Sequence, residues 1–218
     1  MKTALCIIIL FGSLPAIGQS VQRPVLIGID VAKPVLSLVT PDRPQFRLAE
    51  ATVKIPIAKG RYLSIMGGYG SLNSDAVSRT VLINAQGGYA KLGTEKIHPD
   101  GLVTGWHGLV SSVHEQGAFL FKGPVFGDYS EPTFTRQRVS VGFEGHLGYQ
   151  RTLSNHLIFR VSGRVGMAGL FGNRVDDIKA VFVPGLGYVI GDPVVVGFGL
   201  GLHLFFRTNP RPVAVSLP

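Results

Sequence analysis

Apolar and polar residues alternate along this chain over segments that are longer than ordinary strands. Between residues 139 and 150 the odd positions are mostly apolar or aromatic, whereas the even positions hold Ser, Gly, Glu, His, Gly and Gln. A period of two predicts a β-strand with one apolar and one polar face, because a helix would repeat every 3.6 residues. The same alternation recurs at 51–57, 81–89, 157–167 and 198–206. The chain is therefore predicted to be all-β, with strands longer than the mean of about five or six residues.

The lengths and spacing of these segments predict a closed sheet that crosses a bilayer. A transmembrane β-strand needs about 9–11 residues, apolar outward and polar or small inward. We therefore predict an eight-stranded antiparallel up-and-down transmembrane β-barrel, with short turns and both chain termini on the periplasmic side. The predicted strands are 25–39, 46–57, 62–71, 80–93, 102–114, 137–151, 157–170 and 194–206.

One segment leaves the strand count open. Residues 181–190 could form a further strand, and another strand from 117–135 would then complete a ten-stranded barrel. Pro184 disfavours a central strand, because proline cannot donate to the hydrogen-bond ladder. We prefer hairpin extensions of the two longest connections, 115–136 and 171–193, which face the cell exterior in this topology. Ten strands are the alternative.

The first eighteen residues predict a cleaved secretory signal. Lys2 supplies a positive start, Ala4 to Leu14 form a short apolar run, and Ala16-Ile17-Gly18 offers small residues to a signal peptidase. Cys6 lies in this segment, so the mature chain is expected to lack disulfides, thiolate metal sites and a cysteine nucleophile. The predicted organisation is a signal peptide at 1–18, a barrel at 19–206 and a periplasmic tail at 207–218.

Composition agrees with an exported membrane chain. The 218 residues include 29 Gly and only 16% charged residues, and the mean hydropathy is +0.30. High glycine content and low charge argue against a helical bundle and a solvated disordered chain. The net charge of +8 at pH 7 could suit nucleic acid, but an exported chain meets anionic lipid headgroups instead. We expect outer-membrane lipids as partners, no nucleic acid, and a monomer in the outer membrane of a Gram-negative cell.

The inward face of the predicted barrel carries ionisable and amide side chains. An eight-stranded barrel has an interior just wide enough for side chains to fill. Buried charges must be paired, because an unpaired one costs several kcal/mol. We therefore predict an interior network of ion pairs and hydrogen bonds. Its residues are Asp30, Glu50, Lys54, Glu144, His146, Arg160, Arg164 and His203, with Asn84, Gln86 and His107 also facing inward.

Aromatic residues fall into two predicted groups. Those near the periplasmic strand ends suit the aromatic girdle of a membrane interface, namely Tyr89, Trp106, Tyr149 and Phe206. Those of the connection 115–136 are too dense for a passive solvated loop and predict a binding surface or an extended hairpin. They are Phe119, Phe121, Phe126, Tyr129 and Phe134.

No group of residues predicts catalysis or metal binding. Ser140, Glu144 and His146 share one face of a strand and have the residue types of a hydrolase triad, but Ser140 and His146 would lie about 20 Å apart along it. The histidines show no H-x-x-x-H or H-x-H spacing. Alternate glycines at 197–201 precede no helix that could bind phosphate. We predict no enzyme activity, no metal and no cofactor.

Several short motifs resemble those of a known family. They are Gly28-Ile29-Asp30-Val31 with Lys33-Pro34, Glu50, Gly88-Tyr89 with Leu92-Gly93, and Val183-Pro184-Gly185-Leu186-Gly187. In these motifs the chain resembles the small outer-membrane barrel proteins common in Bacteroidetes, a family of unknown function. The resemblance implies the same fold and location and brings no catalytic residues.

The last predicted strand carries a second resemblance. Gly201, Leu204 and Phe206 resemble the terminal pattern read by the outer-membrane insertion machinery, which is therefore an expected partner. About twelve residues follow this pattern, and they are expected to lie free in the periplasm.

These features together predict a structural protein, or an adhesive or ligand-binding one, with a side-chain-filled interior. Its contacts would be made through the external connections 115–136 and 171–193, and no sequence feature identifies the extracellular ligand. A narrow channel for small solutes is one alternative, and an outer-membrane lipid-modifying enzyme is a second.

Overall fold

The structure is a computed structural model of the chain. It describes residues 24–31, 45–78, 81–123, 127–172, 180 and 182–208. The predicted signal peptide and the predicted tail from residue 209 onwards lie outside these residues. Among the residues that the structure describes, no helix is long and apolar enough to cross a membrane.

Ten β-strands account for most of the described residues. They are β1 (Leu26–Asp30), β2 (Gln45–Ala58), β3 (Arg61–Ser78), β4 (Val81–Ile97), β5 (Leu102–Gly123), β6 (Gly127–Thr152), β7 (Leu157–Gly172), β8 (Phe182–Val183), β9 (Gly187–Ile190) and β10 (Val194–Arg207). All the described strand pairs are antiparallel. The all-β, antiparallel architecture expected from the alternating pattern is confirmed.

Eight of the strands close into a ring. Each of β1 to β6 pairs with its successor, β7 pairs with β10, and β10 pairs back with β1. Partners followed from Ile27 through each strand in turn end at Val196 in β10, whereas Ile27 itself pairs with Phe206, ten residues further along. A closed sheet needs such a stagger, because its strands tilt relative to the ring axis. The short strands β8 and β9 are not members of the ring.

The two faces of the ring are opposite in polarity. In β7 every even-numbered residue from Ile158 to Leu170 is buried, including Arg160 and Arg164, while the odd-numbered neighbours face outward. Among the described residues, 21 exposed large apolar or aromatic side chains lie on the eight ring strands. Of the outward-facing strand side chains that the structure describes, the charged ones lie next to short turns, at Arg61, Lys96 and Arg151.

Short turns join the ring strands at one end. They follow β2 at 59–60, β4 at 98–101 and β6 at 153–156. Gly60 adopts a φ of +69°, where a Cβ would lie 2.7 Å from the Ile97 carbonyl oxygen. Only glycine fits this left-handed, crowded position without strain.

β5 and β6 extend well beyond their neighbours. Their pairing continues from Glu115 opposite Arg136 to Gly123 opposite Gly127. In contrast, β4 pairs with β5 only as far as Phe119. The strand ends predicted at 114 and 137 are therefore wrong, because the chain continues there as a paired hairpin. The hairpin extension preferred for this segment is what the structure contains.

Residues 182–190, which we call the inner segment, fold back into the ring. Phe182 packs against the inward side chains of β3, β4 and β5, and Leu186 and Val189 pack with inward side chains of β4, β5, β7 and β10. Residues 182–186 and Val189 are buried against the inner faces of five ring strands and therefore lie inside the ring. Tyr188 and Ile190 are exposed on β9, which pairs with β10. For residues 182–186 and Val189, the prediction of an external connection at 171–193 is wrong, because their side chains are buried in the interior. Residues 173–179 and 181 of that connection lie outside the described part of the chain.

The interior is layered along the ring axis. Next to the short turns lies an apolar floor of Leu26, Ile158 and Phe205. A Cβ on Gly28 would overlap the Phe205 ring, so a glycine is needed there to make room for it. Charged side chains lie above this floor, and the inner segment lies above them.

Candidate functional site

The interior polar network is the candidate functional site. The eight predicted network residues all point into the ring. Each takes part in an ion pair, and their side chains are at most 5% exposed. The middle layer of the described interior balances four carboxylates against four cations. These groups are Asp30, Glu50, Glu95 and Glu144, with Lys54, Lys91, Arg160 and Arg164.

Glu50 is the centre of one half of the network. Its Oε2 accepts hydrogen bonds from the Tyr89 hydroxyl at 2.5 Å and from Arg164 at 3.1 Å. Its Oε1 lies 3.0 Å from His203 Nε2 and 3.3 Å from the Arg164 guanidinium. Arg164 also lies 3.5 Å from Asp30. Both oxygens of Glu50 are thus fully used by neighbouring side chains.

Glu95 is the centre of the other half. Its Oε2 accepts hydrogen bonds from Lys54 and, at 2.7 Å, from Arg160. Its Oε1 faces the imidazoles of His107 and His146, with ring nitrogens at 3.6 and 3.5 Å. The two imidazole rings stack with their centroids 4.8 Å apart.

Lys91 links the network to the inner segment. Its ammonium donates to Glu144 Oε2 at 2.8 Å and to the Gly185 carbonyl oxygen at 2.8 Å. Gly185 has a φ of +88°, and a Cβ there would lie 2.9 Å from atoms of Tyr89 and Leu109. The inner segment is therefore fixed from inside the ring by one buried cation and a close backbone contact.

A third ion-pair group closes the interior at the end away from the short turns. Glu115 Oε2 accepts from Arg136 at 2.6 Å and from Arg138 at 2.7 Å. Arg138 also reaches Asp192, just beyond the inner segment, at 3.2 Å. All three side chains from β5 and β6 are nearly or fully buried.

Five members of the network were not among the predicted site residues. They are Lys91, Glu95, Glu115, Arg136 and Arg138. Along β4 the charged residues Lys91 and Glu95 share one face with Gly93, while Leu92 lies on the other face. That contrast in the lower half of the strand would have revealed the inward face.

Two residues predicted to face inward lie on the opposite face. Asn84 and Gln86 are exposed, whereas Ile83 and Ala85, which alternate with them, are buried. The prediction is wrong because the upper interior is apolar at this point, where Ala85 packs against Phe182 of the inner segment. His107, in contrast, is fully buried inside the ring as expected.

The predicted aromatic girdle is divided between the two faces. Trp106, Tyr149 and Phe206 face outward and are 56–61% exposed. Tyr89 is only 7% exposed and bonds to Glu50 in the interior, so its assignment to the girdle is wrong. Its hydroxyl needs a polar partner, which the charged interior supplies and a lipid-facing position would not.

The Ser140–Glu144–His146 set does not form a triad. Ser140 is fully buried, and its hydroxyl lies 2.6 Å from the hydroxyl of Ser111 on β5. Glu144 pairs with Lys91, and His146 faces Glu95. Each side chain has a different neighbour, as expected for residues spread along one strand.

The aromatic residues of the predicted binding loop lie on the β5–β6 hairpin. Phe121 is directly opposite Tyr129 in the register, and Phe119 is opposite Glu131. Phe134 lies beside Gly117, and the Arg136 guanidinium lies 5.0 Å from its ring centroid. Phe126 lies outside the described residues.

A polar depression of about 400 Å³ lies on the outward face of β3, β4 and β5, near the end away from the short turns. Within it Gln86 accepts a hydrogen bond from the Tyr69 hydroxyl at 2.9 Å. The depression is lined by Ser71, Leu72, Asn73, Asn84, Ala85, Gln86, His114 and Gln116. The outward side chains that line the depression are polar, so the apolar outward surface of these three strands ends at the depression.

Comparisons with known proteins give little further information. No family model matches the chain, and no curated protein matches it. Among solved structures it is similar to LpxR from Salmonella typhimurium, with 8% sequence identity and a TM-score of 0.33 over 84% of this chain and 99% of that one. A similarity this low supports no transfer of function. The resemblance to the Bacteroidetes barrel family stays a prediction.

Proposed function

We propose that the protein is an outer-membrane β-barrel with a closed lumen, whose functional contacts are made by the projecting β5–β6 hairpin. The observation that supports this proposal is the inverted polarity of the ring. Charged side chains such as Arg160 and Lys54 are buried inside, while Phe198, Leu200 and Trp106 are 61–74% exposed outside. A water-soluble ring would show the opposite arrangement.

The energetics of solvation favour a bilayer around this surface. Soluble monomers rarely expose contiguous apolar patches larger than a few hundred Å², and here outward side chains are apolar on every ring strand. Lipid removes that surface from water, at about 25 cal/mol for each Å². Ring closure completes the argument, because a spanning sheet must leave no unpaired edge in hydrocarbon.

The filled interior favours a closed lumen over the alternative of a narrow channel. The apolar floor, the ion-pair layer and the inner segment follow one another along the axis. Arg164 pairs with Glu50, and Arg160 pairs with Glu95. In the described interior these arginines therefore form no row of unpaired charges along which an ion could pass. We expect no steady ion conductance from this protein in planar bilayers.

The outward end of the ring is assigned by the lengths of its connections. Outer-membrane barrels have short periplasmic turns and longer external loops, so the turns at 59–60, 98–101 and 153–156 would face the periplasm. The hairpin tip, around residues 120–130, then projects to the exterior. Beyond Phe119 it pairs with no other ring strand among those described, and its aromatic residues suit contact with a partner.

The second alternative, a lipid-modifying enzyme, receives no support from Ser140. That hydroxyl is enclosed in the ring and bonded to Ser111. A lipid headgroup would instead meet the outward polar depression around His114 and Gln86. An activity of this kind would therefore have to use that surface.

Cysteine labelling of intact cells tests the proposed location and orientation. The only cysteine of the sequence is Cys6, in the predicted signal, so the mature chain offers a clean background. We expect a membrane-impermeant maleimide to label a Lys122→Cys chain, in the hairpin, on intact cells. An Asn155→Cys chain, in a short turn, is the matched control and should be labelled only after the outer membrane is permeabilised.

Two results would contradict the proposal. Equal labelling of both chains in intact cells would show that no membrane separates the two positions. Recovery of both chains in the soluble fraction would show the same. Labelling of the Asn155→Cys chain alone would invert the proposed orientation.

A further inference from the structure

Three side chains from neighbouring strands converge on one point in the interior. Glu95 comes from β4, His107 from β5 and His146 from β6. Glu95 Oε1 lies 3.6 Å from His107 Nε2 and 3.5 Å from His146 Nε2. One ligand atom of each residue lies within 4.8 Å of the other two.

These facing atoms have no hydrogen-bond partner among the described residues. This holds for Glu95 Oε1 and for both ring nitrogens of His107 and His146. The three side chains are between 0% and 4% exposed. Buried polar atoms are satisfied in most proteins. Three such open atoms face one another here, Glu95 Oε1 and the Nε2 atoms of His107 and His146, and they point to a shared ligand.

The neighbouring cluster of Asp30, Glu50 and His203 combines two carboxylates with one histidine, and its central carboxylate is not open in this way. Its carboxylate Glu50 already accepts hydrogen bonds at both oxygens from Tyr89 and Arg164. Its oxygens are therefore not open to a metal ion. Glu95, His107 and His146 are therefore an open set of ligands, whereas the carboxylate of Glu50 is saturated by its own partners.

The backbone makes space for both imidazoles. Gly105 is opposite His146 in the register, and a Cβ there would lie 2.5 Å from His146 Cε1. Gly93 is opposite His107, and a Cβ there would lie 2.7 Å from His107 Cδ2. Any larger residue at either position would displace a ring from the point of convergence.

The surrounding charges orient the three groups. Lys54 and Arg160 hold Glu95 by Oε2 and leave Oε1 directed at the histidines. Glu144 Oε1, also without a hydrogen-bond partner, lies 3.9 Å from His107 Nδ1. A carboxylate behind a metal-binding histidine is the usual way in which proteins fix the ring and raise its basicity.

We propose that Glu95, His107 and His146 form a binding site for a divalent transition-metal ion such as Zn²⁺. Two nitrogens and one carboxylate oxygen are ligands that this class of ion prefers. With bonds of 2.0–2.1 Å, adjacent ligands of a tetrahedral ion lie about 3.4 Å apart, close to the two measured separations. Water would complete the coordination.

The positive neighbours set the expected strength of the site. Lys54 and Arg160 repel a dication, and only three protein ligands are present. Binding is therefore expected to be weaker than at four-ligand structural zinc sites.

Cobalt substitution tests the site without any assay of activity. The mature chain is refolded in detergent with Co²⁺, because the interior is most accessible before the ring closes. We expect one Co²⁺ per chain, the visible absorption of a four-coordinate ion, and loss of that spectrum when Zn²⁺ is added. His107→Asn and His146→Asn should each abolish the spectrum, and Glu144→Gln should weaken affinity about tenfold.

His203→Asn is the matched control, because His203 is equally buried but belongs to the saturated cluster. It should retain the Co²⁺ spectrum. Folding of every variant is checked by its heat-modifiable mobility in gels, and Glu144→Gln keeps all three ligands if the histidine variants do not fold. The proposal is overturned if the wild-type chain binds no stoichiometric Co²⁺, or if His203→Asn abolishes the spectrum while His107→Asn keeps it.

Discussion

At the scale of single residues, Glu50 shows how the interior depends on complete pairing. Its carboxylate accepts from Tyr89, Arg164 and His203, each of which comes from a different strand. Buried ion pairs contribute modestly when they are intact, because desolvation offsets their attraction. Breaking one is costly, because the remaining charge has no water to solvate it.

Glu50→Gln is therefore expected to lower the free energy of unfolding by about 3–5 kcal/mol. The amide removes the charge that faces Arg164 and leaves the guanidinium with Asp30, at 3.5 Å, as its remaining carboxylate neighbour in the described structure. Urea unfolding from lipid vesicles, followed by the fluorescence of the single tryptophan, Trp106, measures the change.

Asp100→Asn is the control for this substitution. Asp100 lies in an exposed turn and accepts a hydrogen bond from the Leu102 amide at 3.1 Å, which an asparagine can also accept. Its effect should stay within about 0.5 kcal/mol. An equal loss for both variants would show that the interior charges are not coupled as described.

The sequence predicts such interior residues only where it shows clearly which alternate positions of a strand face inward. Glu144, Arg160 and His203 lie on strand segments whose outward neighbours are apolar or glycine, so alternation places them correctly. On β4 the apolar residues Ile83 and Ala85 indicate an outward face, but both are buried inside the ring. Ala85 packs against Phe182, about a hundred residues away in sequence, and no local pattern reports that contact.

At the scale of elements, the outward faces of β6, β7 and β10 distinguish a membrane strand from a soluble one. Leu200 on β10 is 74% exposed and lies among other outward apolar residues such as Phe198 and Val165. In water, a substitution at so exposed a position would have little effect. In a bilayer, the same position faces hydrocarbon.

Leu200→Arg is thus expected to destabilise the inserted protein by about 2–4 kcal/mol, the cost of a cation near the bilayer midplane. The unfolding equilibrium in lipid vesicles measures it. Asn84→Arg, on the exposed polar end of β4, is the paired control and should change stability by at most about 1 kcal/mol. If Leu200→Arg is as mild as the control, β10 does not face lipid.

Two elements differ from the expectation drawn from sequence for reasons of tertiary structure. The inner segment reads as a strand or a loop, because its burial comes from inward side chains of five other strands rather than from its own periodicity. The predicted strands β5 and β6 stop short, at 114 and 137, because the Gly, Pro and aromatic residues beyond these points do not alternate cleanly. A paired two-stranded extension does not need the apolar face that a ring strand needs.

At the scale of the whole molecule, three features depend on one another: the apolar outer surface, the closure of the ring and its filled interior. Each of the eight ring strands pairs with two neighbours, the stagger tilts the strands, and the described interior is occupied from the floor to the inner segment. The sequence predicts the all-β architecture because alternation repeats in every strand. It cannot predict which charges pair, since Glu95 meets Arg160 and His146 only through the register of four different strands.

The measurement that tests this account most directly is the contact of individual methyl groups with lipid. The mature chain is placed in nanodiscs that contain lipids with a spin label on the acyl chain, and methyl relaxation is recorded. Val141, Leu147 and Leu200, which face outward, should show strong enhancement. Val103, Leu109 and Val195, which are 0–1% exposed inside the ring, should show little. Equal enhancement of the two sets, or enhancement of the inner set alone, would contradict the inverted ring on which the proposed function rests.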